Sequence, residues 1–402
     1  MKKKKRIAIV GSVGVPAYYG GFETLVDNLL PYLTLEYDVT VYCCSKAYPK
    51  KERLKYYRGA RLIYVPIKAN GIQSILYDSV SMIMAFRKHD LYLNLGVSGG
   101  IMFPVIKTVS KKKIIVNIDG LEWRRPKWGL IAKNALKILE WFSIRFSNAD
   151  ITDNIGIQRY VRRKYNSLSH MIAYGGDHNY KIEITDKNVT DYSFLRQKYD
   201  FKVARIEPEN NIHVVLEAYR ILSARKIVIV GNWLQSQYGI DLKLKYSRYA
   251  NIHLLDPIYN LETLNVLRSN CQVYVHGHSA GGTNPSLVEA MYLGLPVLAY
   301  KVSFNEFTTE GKAIFFSSTQ ELVNHLRNTS LSEWQEVASN LSQLAISKYK
   351  WSIISYQYID AFKSLDYDYV KMWDNPFAKL TREELTRNGW LHMVNRDVGG
   401  VF

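Results

Sequence analysis

The stretch Gly281-Gly282-Thr283-Asn284-Pro285-Ser286-Leu287-Val288-Glu289-Ala290 decides how the second half of this chain is read. Just before it, Val273-Tyr274-Val275 forms a short strand and His276 to Gly282 its exit loop. Asn284 is a good helix N-cap, because its side-chain oxygen accepts from an early helical N–H. Pro285 suits the first helical position, where no N–H is needed. A helix over 286–292 follows, with its unpaired N–H groups pointing back at the strand exit, where they favour an anion. Glu289 lies one turn in and can reach a neutral polyol such as ribose, but not a phosphate. An ordinary capped helix explains Asn284 and Pro285 equally well. It does not explain two histidines and two glycines stacked ahead of them.

Working outward, short apolar runs alternate with helix-like segments. Phe201–Ala204, Lys226–Val230, Ile252–Leu255 and Pro296–Ala299 join Val273–Val275 as a second set of strands. A first set comprises Arg6–Val10, Val39–Tyr42, Leu62–Val65, Leu91–Leu95, Ile114–Ile118 and Ile151–Thr152, with a helix near Glu23–Leu33. Strands separated by helices imply βαβ units and parallel sheets. The fold class is therefore α/β, with two doubly wound, Rossmann-like domains expected to face each other across a cleft. Residues 1–180 form the first domain, completed by about 348–402, and 190–347 form the second.

With 402 residues the chain is comfortable for two domains. Three cysteines, two of them adjacent, offer no disulfide framework and fit a reducing compartment. Met1 to Arg6 looks like the basic start of a signal peptide. The apolar run behind it is only Ile7–Val10, against the ~7–15 residues of such a segment, so a buried first strand is expected. No run approaches the ~18 apolar residues of a membrane span. The formal charge of +17 points to an anionic partner: nucleic acid, an anionic membrane surface or a phosphorylated substrate.

Four further segments carry candidate chemistry. Gly11 to Glu23 is a glycine-rich strand-to-helix turn without the dinucleotide spacing. Its backbone, at Gly20 and Gly21 above all, can approach an anion, or can simply turn tightly. Asn117-Ile118-Asp119-Gly120-Leu121-Glu122-Trp123-Arg124-Arg125-Pro126-Lys127-Trp128 follows a strand, and a carboxylate there can take a proton from a hydroxyl. The helix expected over 128–146 should turn Ile131, Ala135, Ile138, Phe142 and Phe146 inward. Its other face carries Lys133, Lys137, Trp141 and Arg145, with Leu130 and Ile144 between, a mixture suited to an anionic lipid interface. Asp153 is either a cleft residue or a helix N-cap, and Tyr174-Gly175-Gly176-Asp177 reads as a domain-exit turn. Arg205, after a strand, can neutralise a diphosphate. Asp366-Tyr367-Asp368 imitates a metal motif but lies in the tail and is read as chance.

At these residues the sequence resembles a GT-B glycosyltransferase of family 4 over roughly residues 6–362. The match runs through Arg205, Gly231 in Ile229-Val230-Gly231-Asn232, Glu289 in Val288-Glu289-Ala290-Met291-Tyr292, and Tyr349-Lys350-Trp351 at the start of a crossover helix. The family usually has a second Glu where Gly281 stands and a Lys where Asn210 stands. The strings Tyr19-Gly20-Gly21-Phe22-Glu23-Thr24, Asp119-Gly120-Leu121-Glu122-Trp123 and Arg205-Ile206-Glu207-Pro208-Glu209-Asn210-Asn211 resemble the β-1,4-rhamnosyltransferases of bacterial capsule and cell-wall polysaccharide synthesis.

The resemblance implies retaining transfer of L-rhamnose from dTDP-L-rhamnose to a sugar on a polyprenyl diphosphate, with no metal and no cofactor. The enzyme would sit at the cytoplasmic face of the cell membrane as a peripheral protein. The catalytic group would be Asp119, which takes the proton, with Glu122 and Asp153. Gly20, Gly21, Arg205, Asn210, Tyr259, His278, Gly282, Thr283, Asn284 and Glu289 would hold the sugar nucleotide, Ile258 and Tyr259 flanking its base. Glu23, Trp123, Arg124 and Tyr174 would meet the acceptor. Two other classes stand beside this one. A sugar-nucleotide epimerase of similar shape would need no acceptor. A nucleic-acid binder would need a basic groove with stacking aromatics, which the scattered lysines do not form in sequence.

Overall fold

A computed structural model describes residues 4–18, 20–118, 120–125, 128–366, 371 and 383. Its contacts divide the chain into two units, one reaching to Ala173 and resuming at Ser352, the other running Tyr174–Trp351.

Unit 1 is built on an eight-stranded sheet. Its strands are β1 (Arg6–Val10), β2 (Asp38–Cys44), β3 (Tyr56–Tyr57), β4 (Ala60–Val65), β5 (Leu91–Leu95), β6 (Lys113–Asn117), β7 (Ala149–Thr152) and β8 (His170–Met171). The spatial order is β3-β4-β2-β1-β5-β6-β7-β8, parallel throughout except for the β3–β4 hairpin. Every residue of β5 is buried, and so are Ile7 to Val10 of β1. Such unbroken buried runs, apolar but for Asn94, belong to strands covered on both faces. The helix Trp351–Ser364 joins this unit, where Asn117 Nδ2 donates to Tyr358 Oη at 2.7 Å.

Unit 2 carries a six-stranded, wholly parallel sheet: β9 (Asp200–Val203), β10 (Ile227–Val230), β11 (Ile252–Leu255), β12 (Tyr274–His276), β13 (Val297–Tyr300) and β14 (Ile314–Phe316). The order β11-β10-β9-β12-β13-β14 is the doubly wound 3-2-1-4-5-6 arrangement. Ile227, Ile229, Val273, Val275 and Leu298 pack with Trp233 and Tyr219 into one core on one side of this sheet. At roughly 1.5–3 kcal/mol for each large apolar side chain buried, this packing is the main force holding the sheet. The apolar runs foreseen in the sequence all form strands. The short β3 and β8 lack such a run; β14 has one, Ala313-Ile314-Phe315-Phe316, and it is the strand not foreseen there.

Helix Leu130–Phe146 corrects one expectation. Ile131 and Ile138 do not turn inward; they are 89% and 56% exposed. Ala135 is also exposed, and Phe142 and Phe146 are only half-buried. The buried residues are Leu139, Glu140, Ser143 and Ile144, so Ile144 leaves the outward face assigned to it. The physical reason is close approach. A Cβ on Gly100 would lie 2.3 Å from Ser143 Oγ and 2.5 Å from Leu139 O, so the small Ser143 sets which face docks. Glu140 follows it inside because four side chains satisfy its carboxylate there.

Candidate functional site

In unit 2 the strand order reverses between β9 and β12. Ligands of doubly wound sheets bind in the crevice outside the carboxyl ends of the strands at such a reversal. The two exit loops there are stitched together. Asn211 Nδ2 donates to Gly277 O at 2.9 Å, and Ser279 N and Oγ both donate to Glu209 O, at 2.9 and 2.8 Å. Asn210, 2% exposed, donates from Nδ2 to Arg205 O at 2.7 Å and so braces the turn that carries Arg205. Arg205 itself is partly exposed.

The helix Pro285–Tyr292 starts where the sequence places it, with Asn284 Oδ1 accepting from Ser286 N at 3.1 Å and Ser286 Oγ at 2.7 Å. Thr283 is buried at this start, while Gly282 is half-buried. No heavy atom lies within 4 Å of where a Cβ on Gly281 would stand. His278 is anchored through its carbonyl, which accepts from Asn305 Nδ2 at 2.9 Å. Beyond β11, Ile258 is half-buried and Tyr259 is 59% exposed.

Glu289 is more deeply committed than its sequence position suggests. Arg268 Nη1 pairs with Oε2, His178 Nε2 lies 3.3 Å from Oε1, and Trp351 Nε1 donates to His178 Nδ1 at 2.9 Å. Burial opposes ionisation, yet Arg268 and His178 together hold the carboxyl down to about 2. It remains a fixed anion one turn behind the helix start. Neither Arg268 nor His178 was singled out in the sequence, because both come from elements distant along the chain.

Lys202 was also missed. It is wholly buried in β9 and its Nζ has no hydrogen-bond partner. Burial pulls its pKa down to about 7. The signal was present: a lysine inside Asp200-Phe201-Lys202-Val203, a strand whose neighbours are apolar.

In unit 1 the order reverses between β1 and β5, and the loop after β1 holds Gly20 and Gly21. Gly20 has φ 128°, and a Cβ there would overlap Glu23 Oε2 at 1.9 Å, so only glycine fits. Gly21 opens the helix Gly21–Glu36. Glu23, expected to meet the acceptor, is 8% exposed and accepts from Val13 N at 2.6 Å, while Asp27 accepts from Ala17 N at 2.9 Å. The two carboxylates pin the glycine-rich loop to the helix that follows it.

Asp119 lies outside the described residues, as do Tyr19, Pro126, Lys127, Tyr367 and Asp368. Glu122 starts a 3₁₀ turn, Glu122–Arg124; it pairs with Arg125 Nε at 2.8 Å and accepts from Trp128 Nε1 at 3.1 Å. Trp123 donates from Nε1 to Glu140 at 3.0 Å, under Lys137 Nζ at 4.8 Å and the exposed Arg124 guanidinium at 5.5 Å from its ring centre. Asp153, 1% exposed, follows β7 directly. It is not the N-cap: that is Asn154, whose Oδ1 accepts from Gly156 N at 2.8 Å to start the helix Ile155–Tyr165, as a short amide does well. Tyr174 is buried and opens unit 2. Among the described residues no group of three or more His, Cys, Asp or Glu is arranged to hold a metal ion.

Residues 192–345 match the family described as glycosyl transferases group 1, and residues 4–177 match a domain of unknown function (DUF1972). Residues 192–345 thus carry a group 1 glycosyl transferase domain, and the chain has the GT-B fold. Solved structures agree on this architecture. Sucrose-phosphate synthase from Thermosynechococcus elongatus aligns with a TM-score of 0.73 at 15% identity, covering 90% of this chain and 99% of that one. HepE of Anabaena, solved with UDP and glucose, gives 0.68 at 14% identity over 90% and 100%. A UDP-N-acetylglucosamine 2-epimerase from Listeria monocytogenes, so named provisionally, gives 0.59 at 13% identity over 92% and 99%.

Proposed function

We propose that this glycosyltransferase moves L-rhamnose from dTDP-L-rhamnose to a saccharide carried on polyprenyl diphosphate, with retention and without a metal, at the cytoplasmic face of the membrane. The observation that carries the sugar-nucleotide part is the crevice between β9 and β12: the loop after β9 carries Arg205, and the loop after β12 leads into a capped helix with the anionic Glu289 one turn behind its start. Arg205 and the N–H groups at Thr283 and Asn284 offset charge as the diphosphate leaves. Fixed donors and cations of this kind supply most of the rate acceleration in many group-transfer enzymes. HepE, which shares the fold, was solved with UDP-glucose, and this supports a nucleotide sugar as donor. The open space beside Gly281, where the family resemblance implies a second Glu, favours a sugar with one hydroxyl fewer to bind. Asp119 takes the acceptor proton, with Glu122 and Asp153 orienting the acceptor.

The membrane reading is supported by helix Leu130–Phe146. Leu130 is 81% exposed and Ile131 89%, beside Lys133 and Lys137. A groove of about 330 Å³ lined by Trp141, Ile144, Arg145, Lys164, Tyr165 and Asn166 adjoins this helix. Apolar side chains set among cations suit an anionic lipid surface. Among the described residues no helix is long and apolar enough to cross a membrane.

Incubation with a panel of nucleotide sugars and a lipid-linked acceptor, with the product identified by mass, tests the proposal. It expects a gain of one deoxyhexose from dTDP-L-rhamnose alone. Conversion of a donor without acceptor would instead select the epimerase reading that the Listeria structure keeps open.

A further inference from the structure

A charged side chain in the middle of a parallel sheet is costly unless something compensates it. Lys202 pairs in register with Ile229 of β10, and its stem therefore lies on the core side of the sheet. Its Nζ ends at the carboxyl end of the neighbouring strand β12. A Cβ on Gly277 would stand 2.7 Å from that nitrogen and 2.4 Å from Asn210 O, so glycine at 277 is what leaves room for the ammonium. Among the described residues no carboxylate acts on Lys202; burial shifts it. His276, the last residue of β12, is equally buried, and neither of its ring nitrogens has a hydrogen-bond partner. Burial, and then Lys202, keep His276 neutral, well below its usual range. Its ring stacks on His278 at 4.4 Å.

His276 shares its face of the sheet with Tyr274 and Phe201, opposite the face of Lys202. Lys202 Nζ therefore ends by itself, unpartnered, beside Gly277, where the exit loops of β9 and β12 are stitched together. Among the described residues no internal anion pairs with Lys202, and a doubly wound sheet receives its ligand at this reversal. We infer that Lys202 supplies the second cation for the diphosphate of the sugar nucleotide, its ammonium passing Gly277 to share that charge with Arg205. This rests on the reading that unit 2 holds a nucleotide sugar.

Calorimetric binding of dTDP, UDP and thymidine to the full-length wild type and to Lys202→Met tests it, with Lys202→Gln as a second variant and thermal melting as the check on folding. A charge-assisted contact of about 1.5–3 kcal/mol predicts a roughly 10- to 100-fold loss of diphosphate affinity. Thymidine binding should be unchanged in the same variants, a discrimination that a merely structural lysine would not produce. Wild-type binding of dTDP or UDP that survives both substitutions overturns this inference and leaves the donor reading standing. A wild type that binds neither diphosphate overturns both.

Discussion

Replacing Lys202 by methionine removes a charge and leaves the volume nearly unchanged, which makes its effect on stability calculable. Burial takes the ammonium from 10.5 to about 7. Between those values the unfolded chain binds a proton that the folded chain does not, so wild-type stability rises with pH across that window. Below about pH 7 the full penalty applies. A fall from 10.5 to about 7 corresponds to roughly 5 kcal/mol, an upper bound because water entry and local relaxation reduce it. Lys202→Met should therefore be more stable than the wild type at pH 7, by a few kcal/mol, with the gap closing as pH approaches 10.5. Urea unfolding followed by exchange of the β9 and β10 amides reads unit 2 by itself, which matters because a two-unit chain need not unfold in one step. The difference between variant and wild type at each pH cancels the other titrating groups. A methionine variant that is less stable at pH 7, or a gap that does not depend on pH, would refute the reasoning. It would mean that Lys202 is compensated inside the fold.

Two further outcomes follow from the same structure. Glu289→Gln leaves Arg268 buried without its counter-charge and should destabilise unit 2 by about 3–5 kcal/mol. Because Glu289 is held at about 2 against an ordinary 4.5, its contribution is complete above pH 4.5 and is lost as pH falls toward 2, a loss that acid titration of the variant should lack. Ile131→Ser combined with Trp141→Ser should reduce retention on anionic liposomes at least tenfold while leaving turnover of a soluble acceptor analogue unchanged; equal retention in a flotation assay would remove the lipid-facing role of that helix.

Much of the fold was legible because it is written in local patterns. Runs such as Leu91–Leu95 and Ile252–Leu255 are the strands themselves, and Asn284-Pro285 marks a helix start within a residue. Both loops that border the crevice between β9 and β12 follow strands legible in the sequence, but the reversal of strand order that sets them side by side is seen only in the sheet. Periodicity failed on helix Leu130–Phe146. Its most apolar stripe is the exposed one, and the docking face is chosen by Ser143 against Gly100, forty-three residues away in sequence.

The sequence by itself determined the alternation of strand and helix, the restart that makes two α/β units, and the capped helix that ends at Tyr292. These depend on spacing and on the backbone preferences of Asn, Pro and Gly, which act between near neighbours. Only the tertiary structure decided what the polar groups do. It gave Glu23 to the backbone of its own loop, locked Glu289 between Arg268 and His178, and left Lys202 without a counter-charge at the end of β12. The reason is that electrostatic and hydrogen-bond partners are set by distances between elements, and those exist only once the sheets have formed.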